Sequence, residues 1–234
     1  MTLSRRLAHS VLGFLALTCT GVLYADSPVS DVRWSRAQFN PTIGAAATLS
    51  FTLHRHATVT ARVVDLEGTV VRKLVEATRF SPGPREFPWD GRDAAGHVVP
   101  DGAYVVSIDA AERGRRSGIA ANTVEEAITV PVRYYDRRTG TIAYDLPSAA
   151  VVKMVAHAQP DEGLVSKVVA SDVARPQGAI LEMWDGYDDV GTTYLPSLPG
   201  FSIHVEARPL PRNAILVYGA PQTTSHTRTE ETVK

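Results

Sequence analysis

Cysteine is nearly missing from this chain of 234 residues: there is one, Cys19. It lies in the first apolar run, so a processed chain would have no disulfide, no thiol nucleophile and no cysteine-based zinc site. An excess of one charge is missing too. Lys and Arg number 24 against 25 Asp and Glu, a net charge of −1, which excludes a global attraction to nucleic acid or to an anionic membrane. No apolar run approaches the roughly 20 residues of a transmembrane helix. No stretch beyond the N-terminus holds a 3.6-residue period. G-x-S-x-G, a phosphate-binding glycine loop and H-E-x-x-H are all absent, and a Ser-His-Asp triad has no local spacing to read. The expectation is a non-enzymatic protein with no catalytic residue, no cofactor and no metal.

What is present begins with an address. Arg5 and Arg6 precede an apolar run from Val11 to Leu23, and Ala25 is the small residue before Asp26. That pattern predicts a cleavable signal peptide over residues 1–25 and an exported protein, periplasmic or extracellular, with no transmembrane anchor after processing. Removing those residues takes two arginines and no acids from the total of −1, leaving −3. An outer-membrane lipoprotein anchored through Cys19 is disfavoured. Ala16 stands where Leu is expected, and Thr18 where a smaller residue is.

Glycine (17) and proline (15) are plentiful, as suits a turn-rich β protein. One octet occurs twice: Trp89-Asp90-Gly91-Arg92-Asp93-Ala94-Ala95-Gly96 and Trp184-Asp185-Gly186-Tyr187-Asp188-Asp189-Val190-Gly191. Both fit W-D-G-x-D-x-x-G. Asp binds the backbone locally, Gly takes positive φ freely, and a buried indole needs a partner for its N–H. Each octet therefore predicts a buried Trp at the mouth of a hairpin.

Around the octets the chain alternates with period two. Leu49, Phe51 and Leu53 share one face, as do Val59, Ala61 and Val63; Ile142, Tyr144 and Leu146, then Val152, Met154 and Ala156, answer them. The offset drifts from 93 through 95 at the Trp pair to 97 between Tyr104 and Phe201. This reads as two tandem β-sandwiches, over residues 26–131 and 132–220, with a disordered tail over 221–234. Thr123 to Val130 is expected to close the first unit and Ala214 to Tyr218 the second.

Asn40-Pro41, the turn Asp65 to Gly68, the octet Trp89 to Gly96, and Gly102-Ala103-Tyr104 together resemble the FlgD-type immunoglobulin-like domain. The second unit resembles a diverged copy: it lacks Asn-Pro, and Gly200-Phe201 stands where G-x-Y is expected. The resemblance implies an all-β immunoglobulin-like sandwich used for assembly or display. The structural motif it implies is Trp89, Asp90, Gly91, Asp93, Gly96, Gly102 and Tyr104, with Trp184, Asp185, Gly186, Asp188, Gly191 and Phe201 in the second unit.

Other polar clusters compete with bland readings. Asp90, Asp93, Asp185, Asp188 and Asp189 offer oxygens of the kind Ca²⁺ takes, but the spacing lacks the distal bidentate Glu of a calcium loop. Turn-building is their expected role. His54 and His56 have no third metal ligand in sequence, and His97, His157 and His204 read as isolated. Arg113 to Arg116 is a basic hairpin loop with Glu112, Glu125 and Glu126 nearby. Tyr134, Tyr135 and Tyr187 are the aromatic residues a glycan site would use. The function expected is structural: assembly or adhesion through protein partners at the cell envelope or outside the cell, by way of loops and sheet edges. The alternative is an accessory carbohydrate- or calcium-binding module of a secreted system.

Overall fold

The computed structural model describes residues 27–112, 115–119, 126–160 and 163–219. The signal peptide, the tip of the basic loop and the tail over 221–234 lie outside them. No α-helix occurs among the described residues. The first sandwich is built from β1 (Val29–Trp34), β2 (Gln38–Phe39), β3 (Ala47–Leu53), β4 (Ala57–Val64), β5 (Val70–Phe80), β6 (Gly83–Trp89), β7 (Gly102–Glu112) and β8 (Arg115–Ile119). The second comprises β9 (Ile128–Val130), β10 (Val132–Asp136), β11 (Thr141–Leu146), β12 (Ala150–Ala158), β13 (Val165–Arg175), β14 (Gly178–Met183) and β15 (Ser202–Pro209); β16 (Ala214–Val217) comes last.

Alternation along the strands makes the cores. Ala47, Leu49, Phe51 and Leu53 of β3 point inward, as do Ala57, Val59, Ala61 and Val63 of β4. Together with Trp34, Phe39, Trp89, Tyr104, Val106 and Ile108 they form one apolar cluster. A separate cluster gathers Ile142, Tyr144, Leu146, Val152, Met154, Ala156, Trp184 and Leu195. Each core lies between a three-stranded sheet, β1-β3-β6 or β10-β11-β14, and a larger one.

The two sandwiches share register pair by pair. Ala61 faces Ile108 as Met154 faces Val205, and Val64 faces Val105 as His157 faces Ser202. They also share a bulge that no sequence pattern announces. Glu76 and Ala77 together oppose Thr60, and Ser171 and Asp172 oppose Lys153. The second residue of each pair is left-handed, with φ of 43° at Ala77 and 52° at Asp172.

The closing strands differ from expectation. β9 pairs with β15 in the second sandwich, and Val130 belongs to the second core. β16 pairs antiparallel with β7 and parallel with β2 in the first sandwich, where Ile215 and Val217 join the first core. A division of the strands at 131/132 therefore does not describe the pairing. The second sandwich lies between β8 and β16 of the first. The reason is reach: one residue, Pro131, separates β9 from β10, so β9 has no slack with which to return to the first sandwich.

Candidate interaction surface

The octets build the same turn twice. The Trp89 indole is buried, and its Nε1–H donates to the Arg92 carbonyl at 3.0 Å; the Trp184 Nε1–H donates to the Tyr187 carbonyl at 3.0 Å. The Asp90 carboxylate accepts the Arg92 N–H at 3.1 Å, and that of Asp185 accepts the Tyr187 N–H at 3.0 Å. The Asp93 carboxylate accepts the N–H groups of Ala95 and His97, both at 2.9 Å, and Asp188 accepts that of Thr192 at 2.9 Å. These bonds hold the Asp93 carboxyl below the ordinary aspartate range, the His97 N–H having the largest effect. The Asp188 carboxyl is lowered likewise, chiefly by the Thr193 hydroxyl.

Glycine is required where the turn touches the core. Gly91 has φ of 72°, and a Cβ there would lie 2.7 Å from Pro41. This explains the Asn-Pro pair: Asn40 Oδ1 caps a short 3₁₀ turn by accepting the Thr42 N–H at 2.9 Å, which lays Pro41 against the glycine. In the second sandwich the Tyr194 ring takes that place, 2.3 Å from a Cβ at Gly186. Gly96 and Gly191, also at positive φ, face open space. Gly102 opens β7, and Tyr104 donates its phenol to the Pro100 carbonyl at 2.8 Å. Burial, with the charges of Asp65, Asp101 and Glu67 adding, pushes that phenol up to about 12, so it remains a donor. Phe201 stacks on Trp184 and packs at a tilt against Tyr135 instead, and has no hydroxyl to anchor.

The other expected site residues do not converge. Asp189 lies outside its turn's bonding and pairs with Lys167. His54 Nε2 lies 2.8 Å from Ser30 Oγ, and no cluster of three metal-ligating side chains occurs among the described residues. Tyr134 is exposed while Tyr135 packs against Trp184, because neighbours on a strand face opposite ways. Tyr187 packs against Tyr194 with ring centroids 5.2 Å apart and the rings tilted by 55°. His157 and His204 are not isolated: they stack at 4.7 Å across β12 and β15, and His157 Nε2 lies 2.8 Å from Ser202 Oγ. Only the pairing register could have brought them together.

What sequence reading passed over is a contrast between edges. β6 and β14 are equivalent edge strands, each bonded on one side only, to β3 and β11. β6 carries Pro84 and Pro88, which cannot donate to an added strand. β14 runs Gly-Ala-Ile-Leu-Glu-Met without proline, and Leu181 and Met183 are 65% and 70% exposed on its outer face. Leu181 lies beside Ala143, which in turn lies beside Tyr134, giving an apolar row across the sheet.

Residues 37–114 match the family of the FlgD Ig-like domain. That segment is similar to a FlgD Ig-like domain. It takes in the first octet, the Asn-Pro turn and β2 to β7, and it stops short of the second sandwich. Over 56 residues the chain is 41% identical to the basal-body rod modification protein FlgD of Salmonella typhimurium, and equally to that of Salmonella typhi. Each alignment covers 24% of this chain and 24% of the relative, so the shared part is about a quarter of those proteins. A solved structure of FlgD from P. aeruginosa aligns over 65% of this chain and 94% of its own, at 16% identity and a TM-score of 0.31.

Proposed function

We propose that this protein is a structural, non-enzymatic assembly protein of the cell envelope or the cell exterior, working through protein–protein contacts made at sheet edges. The FlgD Ig-like domain carries the reading, since the relatives that share it bear the name of a rod modification protein. The second sandwich is a diverged copy of that domain, and the signal peptide over 1–25 exports both. The turn motifs, fully bonded to their own backbone, serve as scaffold. Contact falls to β14, which unlike β6 has no proline and carries an exposed apolar face, where an extended apolar segment of a partner protein adds as a further strand beside Leu181 and Met183.

A photo-crosslinking residue tests this in the producing cell, placed at Leu181 in one variant and at Glu86 of β6 in another. Position 181 is expected to give a discrete adduct with another protein, and position 86 none. Equal patterns from both positions, or no adduct at 181, would remove the edge-strand reading.

A further inference from the structure

A second surface lies where the sandwiches meet, and three arginines line it. We propose that the cleft lined by Arg33, Arg36 and Arg212 is an anion site that takes the carboxylates of an acidic segment of a protein partner. The cleft has a volume of about 330 Å³. One wall is the end of β1 and the residues after it. The other is the Ser148-Ala149 turn of the second sandwich, with the crossing segment that carries Arg212 between them.

The backbone segments that carry the arginines are held in place by their neighbours' bonds. Trp34 donates its indole N–H to the Asn213 carbonyl at 3.0 Å. Asn213 is the one buried polar or charged residue among those described, and its side chain donates to the Val106 carbonyl at 2.7 Å while its own carbonyl accepts the Val106 N–H at 3.1 Å. On the far side, Leu210 N–H reaches the Ala149 carbonyl at 2.8 Å. Arg33 and Arg36 flank Trp34 in sequence, and Arg212 precedes Asn213. The Trp34–Asn213 bond thus fixes the two arginine-bearing segments against each other before any ligand arrives. Such pre-organisation lowers the entropy lost on binding.

The cleft lining contains no Asp or Glu. Some arginines elsewhere find acids, Arg62 with Asp109 at 2.5 Å, Arg133 with Asp145 at 3.4 Å and Arg175 with Glu182 at 2.6 Å, while Arg72 and Arg85 donate to backbone carbonyls instead. Arg33, Arg36 and Arg212 enter none of the ion pairs among the described residues. Guanidinium stays charged at all ordinary pH and binds carboxylate with two parallel bonds. Three uncompensated forks beside the apolar Leu210, Pro211 and Ala149 suit Glu side chains, whose aliphatic stems would rest on that wall. This deepens the protein-assembly reading by naming the partner's chemistry, and it rests on that reading.

The test uses the full processed chain and a fluorescein-labelled hexaglutamate peptide, followed by anisotropy. Binding is expected at low salt, weakened about tenfold or more by combined Arg33→Gln, Arg36→Gln and Arg212→Gln. Arg133→Gln, outside the cleft lining, is expected to change it less than about twofold. The single Arg36→Gln, at an exposed position, is expected to weaken binding about threefold if the triple variant does not fold. No binding, or equal loss in Arg133→Gln and the cleft variants, would overturn the proposal. Inorganic phosphate displacing the peptide as well as free hexaglutamate does would overturn the choice of a peptide ligand. Neither result touches crosslinking at Leu181, so failure here is separable from failure of the assembly role.

Discussion

At the scale of single residues, the two indoles set the cost of change. Trp89 is 1% exposed and contacts the rings of Trp34, Phe39 and Tyr104, with centroids 5.4 to 5.9 Å away. Trp89→Ala is expected to cost about 3–5 kcal/mol, the range for truncating a buried Trp; an unchanged denaturant midpoint would refute it. Ala77 works the other way. Its left-handed φ of 43° is strained for any residue with a Cβ, so Ala77→Gly is expected to be neutral or to stabilise by up to about 1 kcal/mol, a gain reduced by the flexibility glycine adds to the unfolded chain. Acid should unpick the turns. The folded pKa values of Asp93 and Asp188 are lowered, so their contribution is full above the ordinary aspartate value and is lost as pH falls below it toward the folded value. A paired Asp93→Asn, Asp188→Asn variant should then show a flatter fall in melting temperature between about pH 4 and pH 2. The indole and aspartate turns were legible at the level of motif, because Trp, Asp and Gly at fixed spacing encode local bonds. The left-handed Ala77 was not, since alanine gives no sign of positive φ.

At the scale of elements, legibility followed sequence distance. Inward faces such as Leu49-Phe51-Leu53 and Val152-Met154-Ala156 could be read from alternation, which is a property of one strand. Pairs of β4 on β7 and of β12 on β15 are related by offsets of 93 and 97. Part of that drift has a visible source. Asp93 N–H bonds the carbonyl four residues on, at His97, whereas Asp188 N–H bonds the carbonyl five on, at Thr193. One extra residue in the second turn shifts everything after it. The destinations of β9 and β16 escaped, because three- and four-residue apolar strands fit either core and only the chain's reach decides. The edge contrast was written in Pro84 and Pro88 against Ala179 and Leu181, but it has meaning only once β6 and β14 are known to be edges. Leu181→Lys places a charge on that open edge without touching the core. It should leave the melting temperature within about 2 °C, consistent with a small surface effect, while abolishing the crosslink expected from the neighbouring position Met183.

At the scale of the whole molecule, the chain passes between the sandwiches twice, once after β8 and once through Leu210 to Asn213. This makes the two units unequal. Residues 126–210 contain every strand of the second sandwich and its entire apolar cluster, so that piece is expected to fold alone, with a cooperative melt. Residues 27–119 carry β1 to β8, the matched segment among them, but lack β16, whose Ile215 and Val217 are 1% and 2% exposed in the first core. Removing the strand uncovers an inner edge of β7 and the apolar face beneath it, and burying a side chain such as Ile is worth about 1.5–3 kcal/mol. The 27–119 piece should accordingly be molten or aggregated, and a peptide of residues 211–219 added in trans should restore a cooperative transition. If 27–119 melts cooperatively without the peptide, β16 is an ornament on a sandwich already complete. If it does so only with the peptide, the first domain cannot finish folding until the second has been made, which ties its assembly to completion of the whole chain.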